Sequence, residues 1–201
     1  MPEKFGADKI IREEEIEKIY LSHRKDRTWK HVREVAETAA EIARRYGLNI
    51  EKIRTAALLH DVSAILSPQE MFDLAVTRKM PLDPSEEKYH FLLHQRISRI
   101  LAEEQLGIRD PEILDAVECH TTLKKSAGSY DKVLFIADKI SWDQEGVPPH
   151  YETLQTLVRE SLDKACFFYI SDQFENGRLL MPHKWIIEAY DDLKSRIATP
   201  Q

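Results

Sequence analysis

Val133-Leu134-Phe135-Ile136-Ala137, the densest apolar run in the chain, decides the fold class. A short run of this kind fits a buried strand or a buried helix, and periodicity over such a length does not separate the two. Ile140 extends the apolar pattern by a helical step, and no stretch elsewhere alternates with period two to supply a partner strand. The helical reading is preferred, and with it an all-α fold.

Working outward, the flanking segments read as helices bounded by recognisable signals. Upstream, Asp110-Pro111 opens a helix that carries Ile113, Leu114, Ala116 and Val117 to His120, and a polar loop follows from Thr121 to Ser129. Downstream, Gly146-Val147-Pro148-Pro149 breaks the chain. A long helix is then expected from Tyr151 to about Phe174, ended by Asn176-Gly177, and a last one from Pro182 to Ala198. Towards the N-terminus, residues 8–25 read as a charged helix with Ile10, Ile11, Ile16, Ile19 and Tyr20 on its apolar side. Thr28 to Tyr46 carries Val32, Val35, Ala36, Ala39, Ile42 and Ala43 at helical spacing, and Gly47 ends it. Ile50 to His60 forms the next helix. Ser67-Pro68-Gln69-Glu70 then combines an N-cap, a first-turn proline and a capping-box glutamate. After the loop Lys79–Pro84 a long helix is expected from Glu86 to Leu106, closed by Gly107, with His90 and His94 on a shared face.

With 201 residues and 23.4 kDa the chain is expected to form one domain. A net charge of -6 argues against nonspecific adhesion to nucleic acid or an acidic membrane. The two cysteines, Cys119 and Cys166, have no zinc or disulfide spacing, and no apolar run approaches a membrane span, so a cytoplasmic location is expected. Apolar faces on the outer helices leave a homodimer open.

The chemistry centres on His60-Asp61, which closes the small and aliphatic run Ile53–Leu59. A neutral imidazole beside a carboxylate suits a divalent cation, and a bound cation offsets the cost of holding a carboxylate out of water. Alone, the pair also reads as a capped helix end. His31 precedes it and His94, His120 and Asp138 follow, each in a separate expected helix, which is how bundle-core metal sites are built. His31, His60, Asp61, His94, His120 and Asp138 exceed the needs of one tetrahedral zinc. They suit two metals sharing a carboxylate, an arrangement that polarises a phosphoryl oxygen and generates a nucleophile from water.

Arg27…His31, Leu58-Leu59-His60-Asp61, Leu92-Leu93-His94, Glu118-Cys119-His120-Thr121-Thr122 and Phe135-Ile136-Ala137-Asp138 together resemble the HD-domain metal-dependent phosphohydrolases. Within them the set looks most like the YqeK-like branch, the symmetrical bis(5'-nucleosyl)-tetraphosphatases. The resemblance implies an HD-domain helical bundle with its core at about residues 27–174 and an N-terminal and a C-terminal helix packed on it. It implies hydrolysis of diadenosine tetraphosphate to two ADP, with two metal ions, iron first and manganese, cobalt or magnesium as alternatives. His31, His60, Asp61 and Asp138 match the first metal site. Asp61 bridges to a second, completed by His94 and His120, and Arg27 matches an arginine that faces substrate phosphate.

Two departures stand out: Ala64 occupies the place of the pattern's lysine, and Thr122-Leu123-Lys124-Lys125-Ser126-Ala127-Gly128 replaces a glycine-rich stretch. Lys124, Lys125 or Lys139 is expected to restore the missing charge at the substrate, and His90 is a candidate second partner or substrate-facing acid. Hydrolysis of another nucleotide, a regulatory module that binds metal or nucleotide with weak turnover, and di-iron oxygen chemistry are the alternatives. Trp29, Trp142 and Trp185 read as core aromatics, and Cys119 as a buried structural thiol.

Overall fold

The computed structural model describes residues 11–141, 146–147 and 149–198. The first residues of the helix expected at 8–25, and Trp142, lie outside them. Among the described residues the chain forms helices joined by turns, without strands: α1 (Glu13–Ser22), α2 (Asp26–Arg45), α3 (Ile50–Leu59), α4 (Pro68–Thr77), α5 (Pro84–Lys88), α6 (His94–Glu104), α7 (Pro111–Cys119), α8 (Ser129–Ile140), α9 (Tyr151–Glu160), α10 (Leu162–Glu175) and α11 (Lys184–Ala198). Short 3-10 turns occupy Val62–Ile65 and His90–Leu93.

The decisive run lies in α8, where Val133, Leu134, Phe135, Ile136 and Ala137 are all fully buried. Burial on every side explains why the run lacks an amphipathic period: α8 packs against α2, α3, α7, α9 and α10. The stripe of α2 faces inward as expected, with Val32, Val35, Ala36, Ala39 and Ala43 at 0 % exposure. Gly47, at φ +64, supplies the left-handed residue that closes α2: Leu48 N–H reaches the Ala43 carbonyl (3.0 Å) and Gly47 N–H that of Arg44 (3.4 Å). Asn49 then caps α3 by accepting from Lys52 N–H at 3.1 Å. α1 packs on α2 and α3, and α11 on α10.

Two expected long helices are divided. Over Glu86 to Leu106, Asp83 caps a short α5, Tyr89 leaves the helical region, and a 3-10 turn leads into α6. A continuous helix would set Glu86 and Arg96 roughly 15 Å apart along its axis. The break brings the Arg96 guanidinium to 2.7 Å from the Glu86 carboxylate, which is fully buried and needs a charged partner. The segment Tyr151 to Phe174 is divided at Ser161. This residue adopts an extended conformation, and its hydroxyl accepts from Lys164 N–H (3.4 Å) as the N-cap of α10.

Leu134→Ala removes a fully buried side chain from the most enclosed helix, and urea unfolding should report a loss of about 2–5 kcal/mol. A loss below about 1 kcal/mol would contradict a close-packed environment for α8.

Candidate metal centre

Five elements bring the expected ligands to one point. His31 comes from α2, His60 caps the end of α3 with Asp61 next in line, His94 is the first residue of α6, His120 caps the end of α7, and Asp138 lies in the last turns of α8. The rings follow one another edge to face, His31 to His60 at 5.4 Å, His60 to His120 at 4.6 Å and His120 to His94 at 4.9 Å between centroids.

The orientation of the rings is fixed by the backbone. His60 Nδ1 lies 2.6 Å from the Ala57 carbonyl, His94 Nδ1 2.7 Å from that of Phe91, and His120 Nδ1 2.8 Å from that of Val117. A carbonyl only accepts, so each Nδ1 carries the proton and donates, and each Nε2 turns a lone pair inward. His60 Nε2 is buried without a hydrogen-bond partner and faces Asp61 Oδ2 and Asp138 Oδ1, each at 3.7 Å. Asp61 Oδ1 faces the other way, 3.7 Å from His94 Nε2 and 3.6 Å from His120 Nε2. Those two nitrogens approach to 3.0 Å, a contact between lone pairs that calls for a shared positive centre. His31 Nε2 lies 3.1 Å from Asp138 Oδ1.

Ligand atoms of His31, His60 and Asp138 fall within 4.8 Å of one another, as do those of His60, Asp61 and His120. An orphaned imidazole nitrogen, opposed lone pairs and two carboxylates fit divalent transition-metal ions. Burial lowers the His60 pKa and pushes that of His120 down to about 4, so both rings stand neutral at pH 7. Burial alone would raise the carboxylates. For Asp138 the adjacent Lys139 ammonium outweighs it and holds that carboxyl below the usual carboxylate range.

A polar cavity of about 240 Å³ opens onto these groups, lined by His31, Asp61, His94, His120, Thr121, Asp138, Lys139 and Ser141. Lys139 Nζ sits 2.6 Å from Asp138 Oδ2 and 3.3 Å from the His120 carbonyl, which puts a lysine ammonium in the cavity wall. The other expected substrate contacts are not in that lining. Lys124 pairs with Asp115 (3.4 Å) and Asp131 (3.8 Å). His90 lies flat on Phe72 at 3.9 Å, because the break at Tyr89 removes it from the helix face of His94. Arg27 is exposed in the first turn of α2, one turn before His31. Ala64 lies in the 3-10 turn after Asp61.

Sequence reading passed over the neutral groups that hold the ligands. Tyr20, fully buried, donates its hydroxyl to the Leu58 carbonyl at 3.0 Å, tying α1 to the end of α3. Ser63 donates to the His94 carbonyl (2.9 Å) and is joined to Ser98 (3.0 Å). Thr121 and Ser141 line the cavity. The only signal for Thr121 was its place beside His120.

Comparison with known proteins agrees with this geometry. The model of the HD domain family matches residues 28–143. The chain is 36% identical over 143 residues to the "Uncharacterized protein in pepC 5'region" of Lactococcus lactis subsp. cremoris, which covers 71% of this chain and 73% of that protein. It is 30% identical over 138 residues to the Bacillus subtilis (strain 168) protein named "Bis(5'-nucleosyl)-tetraphosphatase, symmetrical", covering 67% of this chain and 71% of the relative. A crystal structure from Clostridium acetobutylicum, described as a predicted HD superfamily hydrolase involved in NAD metabolism, aligns with a TM-score of 0.82 at 28% identity, over 92% of this chain and 98% of that one. The chain belongs to the HD-domain family, and it is a phosphohydrolase of that superfamily. The resemblance drawn from the sequence holds for the family, the all-α fold and the class of enzyme.

The lowered pKa values of His60 and His120 set a pH dependence. The unfolded chain takes up these protons first, near the ordinary imidazole value of about 6.5. The folded state therefore loses stability as pH falls below that value, and for His120 the loss is complete near about 4. Protonation also competes with metal. Metal content after equilibrium dialysis and thermal midpoint should both stay level in neutral solution and fall together between about pH 6.5 and about pH 4. Metal retained unchanged to the lower limit would contradict this assignment.

Proposed function

We propose that this phosphohydrolase acts on a dinucleoside polyphosphate and cleaves diadenosine tetraphosphate symmetrically into two ADP. The carrying observation is the convergence of three imidazoles and two carboxylates on a polar cavity, with His60 buried behind them, in a chain with relatives that bear that activity in their names. The cavity, at about 240 Å³, is below the 300–1,000 Å³ of whole-ligand sites, so it suits the phosphate chain with the nucleosides lying outside.

His31, His60 and Asp138 would hold one cation, and His94 and His120 a second, with the two oxygens of Asp61 turned one to each side. Nitrogen-rich donors favour iron, manganese or cobalt over magnesium, which prefers oxygen, and iron is the first choice. Bound there, such ions supply Lewis acidity to a phosphoryl oxygen and acidify an attacking water. The chain's own part is to orient and to neutralise. The three Nδ1–H···O=C bonds hold the rings in register, Lys139 adds a fixed positive charge at the cavity wall, and Arg27 meets the outer phosphates with a bidentate guanidinium. His90 and Lys124 have no part in this reading, being engaged by Phe72 and by Asp115 and Asp131.

Incubation with diadenosine tetraphosphate under anaerobic conditions, with iron, manganese or cobalt added, should release ADP as the sole nucleotide product. Release of AMP and ATP, or none from this substrate but release from a dNTP, would transfer the activity to another nucleotide. His94→Ala should cut metal content from two ions per chain to one and lower turnover at least 100-fold. Unchanged metal content would remove His94 from the ligand set.

A further inference from the structure

Thr121 places a hydroxyl in the cavity wall, and its surroundings are built to hold it there. Its Oγ1 lies 2.9 Å from His94 Nε2. Its backbone N–H donates to Gln95 Oε1 at 3.1 Å, and the next N–H, of Thr122, reaches the same oxygen at 3.2 Å. Gln95 Nε2 then donates to Thr122 Oγ1 at 3.1 Å, and Thr122 passes its own proton to the Leu123 carbonyl at 2.9 Å. Gln95 is 1 % exposed and Thr122 4 %, so the bonds between these two residues are shielded from water. The two N–H donors fix which end of the Gln95 amide is oxygen. The residue after the His94 ligand thus clamps the turn after the His120 ligand.

We infer that Thr121 is a substrate-contacting residue that donates its hydroxyl proton to a phosphoryl oxygen, and that Gln95 is the residue that positions it. The inference rests on the proposed phosphate substrate. His94 Nδ1 is committed to the Phe91 carbonyl, so in the metal-free protein the Thr121 hydroxyl donates to Nε2. Once that lone pair is taken by a cation, the hydroxyl loses its acceptor while its oxygen stays in the cavity wall. A phosphoryl oxygen entering the cavity is the replacement. Metal loading therefore turns Thr121 from a support of His94 into a donor for substrate.

The test compares wild type, Thr121→Val, Thr121→Ser and Gln95→Leu, each loaded with Mn²⁺. Readouts are metal per chain, thermal midpoint, the affinity for inorganic phosphate by calorimetry, and kcat and KM for diadenosine tetraphosphate. Thr121→Val should keep the metal content and midpoint of wild type, yet bind phosphate about 10- to 100-fold more weakly and lose kcat/KM to the same degree. Thr121→Ser should restore both. Gln95→Leu should act in the same direction, and combined with Thr121→Val it should add less than its separate effect. Phosphate binding by Thr121→Val equal to that of wild type overturns the inference alone. Loss of metal by that variant overturns it too, since the hydroxyl would then serve the metal site. Wild type that binds phosphate but hydrolyses no dinucleoside polyphosphate fails the proposed function and leaves the phosphate readout to decide Thr121. Wild type that binds no phosphate overturns both.

Discussion

Each of three imidazoles gives its Nδ1 proton to the carbonyl three residues behind it, and the rest of the site depends on that bond. The last carbonyls of a helix lack partners within it. His60 and His120 cap α3 and α7, so the Ala57 and Val117 oxygens they engage belong to this orphan set. One hydrogen bond thereby completes a helix end and selects a tautomer. His94 uses the same geometry in a 3-10 turn that runs into the start of α6. A distant carboxylate often serves as the outer partner of a ligand histidine. Here the partner is the local backbone, which moves with the ring it orients.

Packing and chemistry are joined by neutral groups. α8 is enclosed on all sides and presents Asp138 at its end, so the apolar burial that fixes the helix also fixes the carboxylate. Tyr20, Ser63, Ser98 and Gln95 add hydrogen bonds between elements far apart in the chain, and each of them is buried. Burying polar groups is costly unless they find partners, and these do, so the region around the ligands is held without further charge. Two of the carboxylates are paired with cations. Asp138 has Lys139 at 2.6 Å, and Glu86 has Arg96 at 2.7 Å.

The residues that gather at the centre could be singled out in the sequence because imidazoles and carboxylates at the ends of apolar helices have few structural uses. The fold class was legible because the apolar run at Val133 continues with helical spacing and no other segment alternates. The breaks at Tyr89 and Ser161 were not legible, since apolar periodicity runs on through both. What divides the chain there is a buried ion pair in one case and a side-chain cap in the other. Lys124 and His90 lie outside the cavity lining for a related reason: a charge or a ring shows its chemistry in the sequence but not its neighbour. Gln95 and Ser63 carried no signal, because such residues are ordinary on surfaces and become distinctive only when tertiary contacts enclose them, and Tyr20 was legible as an inward residue but not as a hydrogen-bond donor to α3.

The ring-fixing bonds are each closed within four consecutive residues, and this separates what the chain must keep from what it can vary. Lys124 and Lys125, beyond the Gln95 clamp, can be replaced while Val117 and His120 keep their own geometry. A scaffold of that kind allows natural variation, or directed evolution, to explore new phosphorylated substrates by rewriting loops, with the geometry of the four imidazoles and two carboxylates inherited intact.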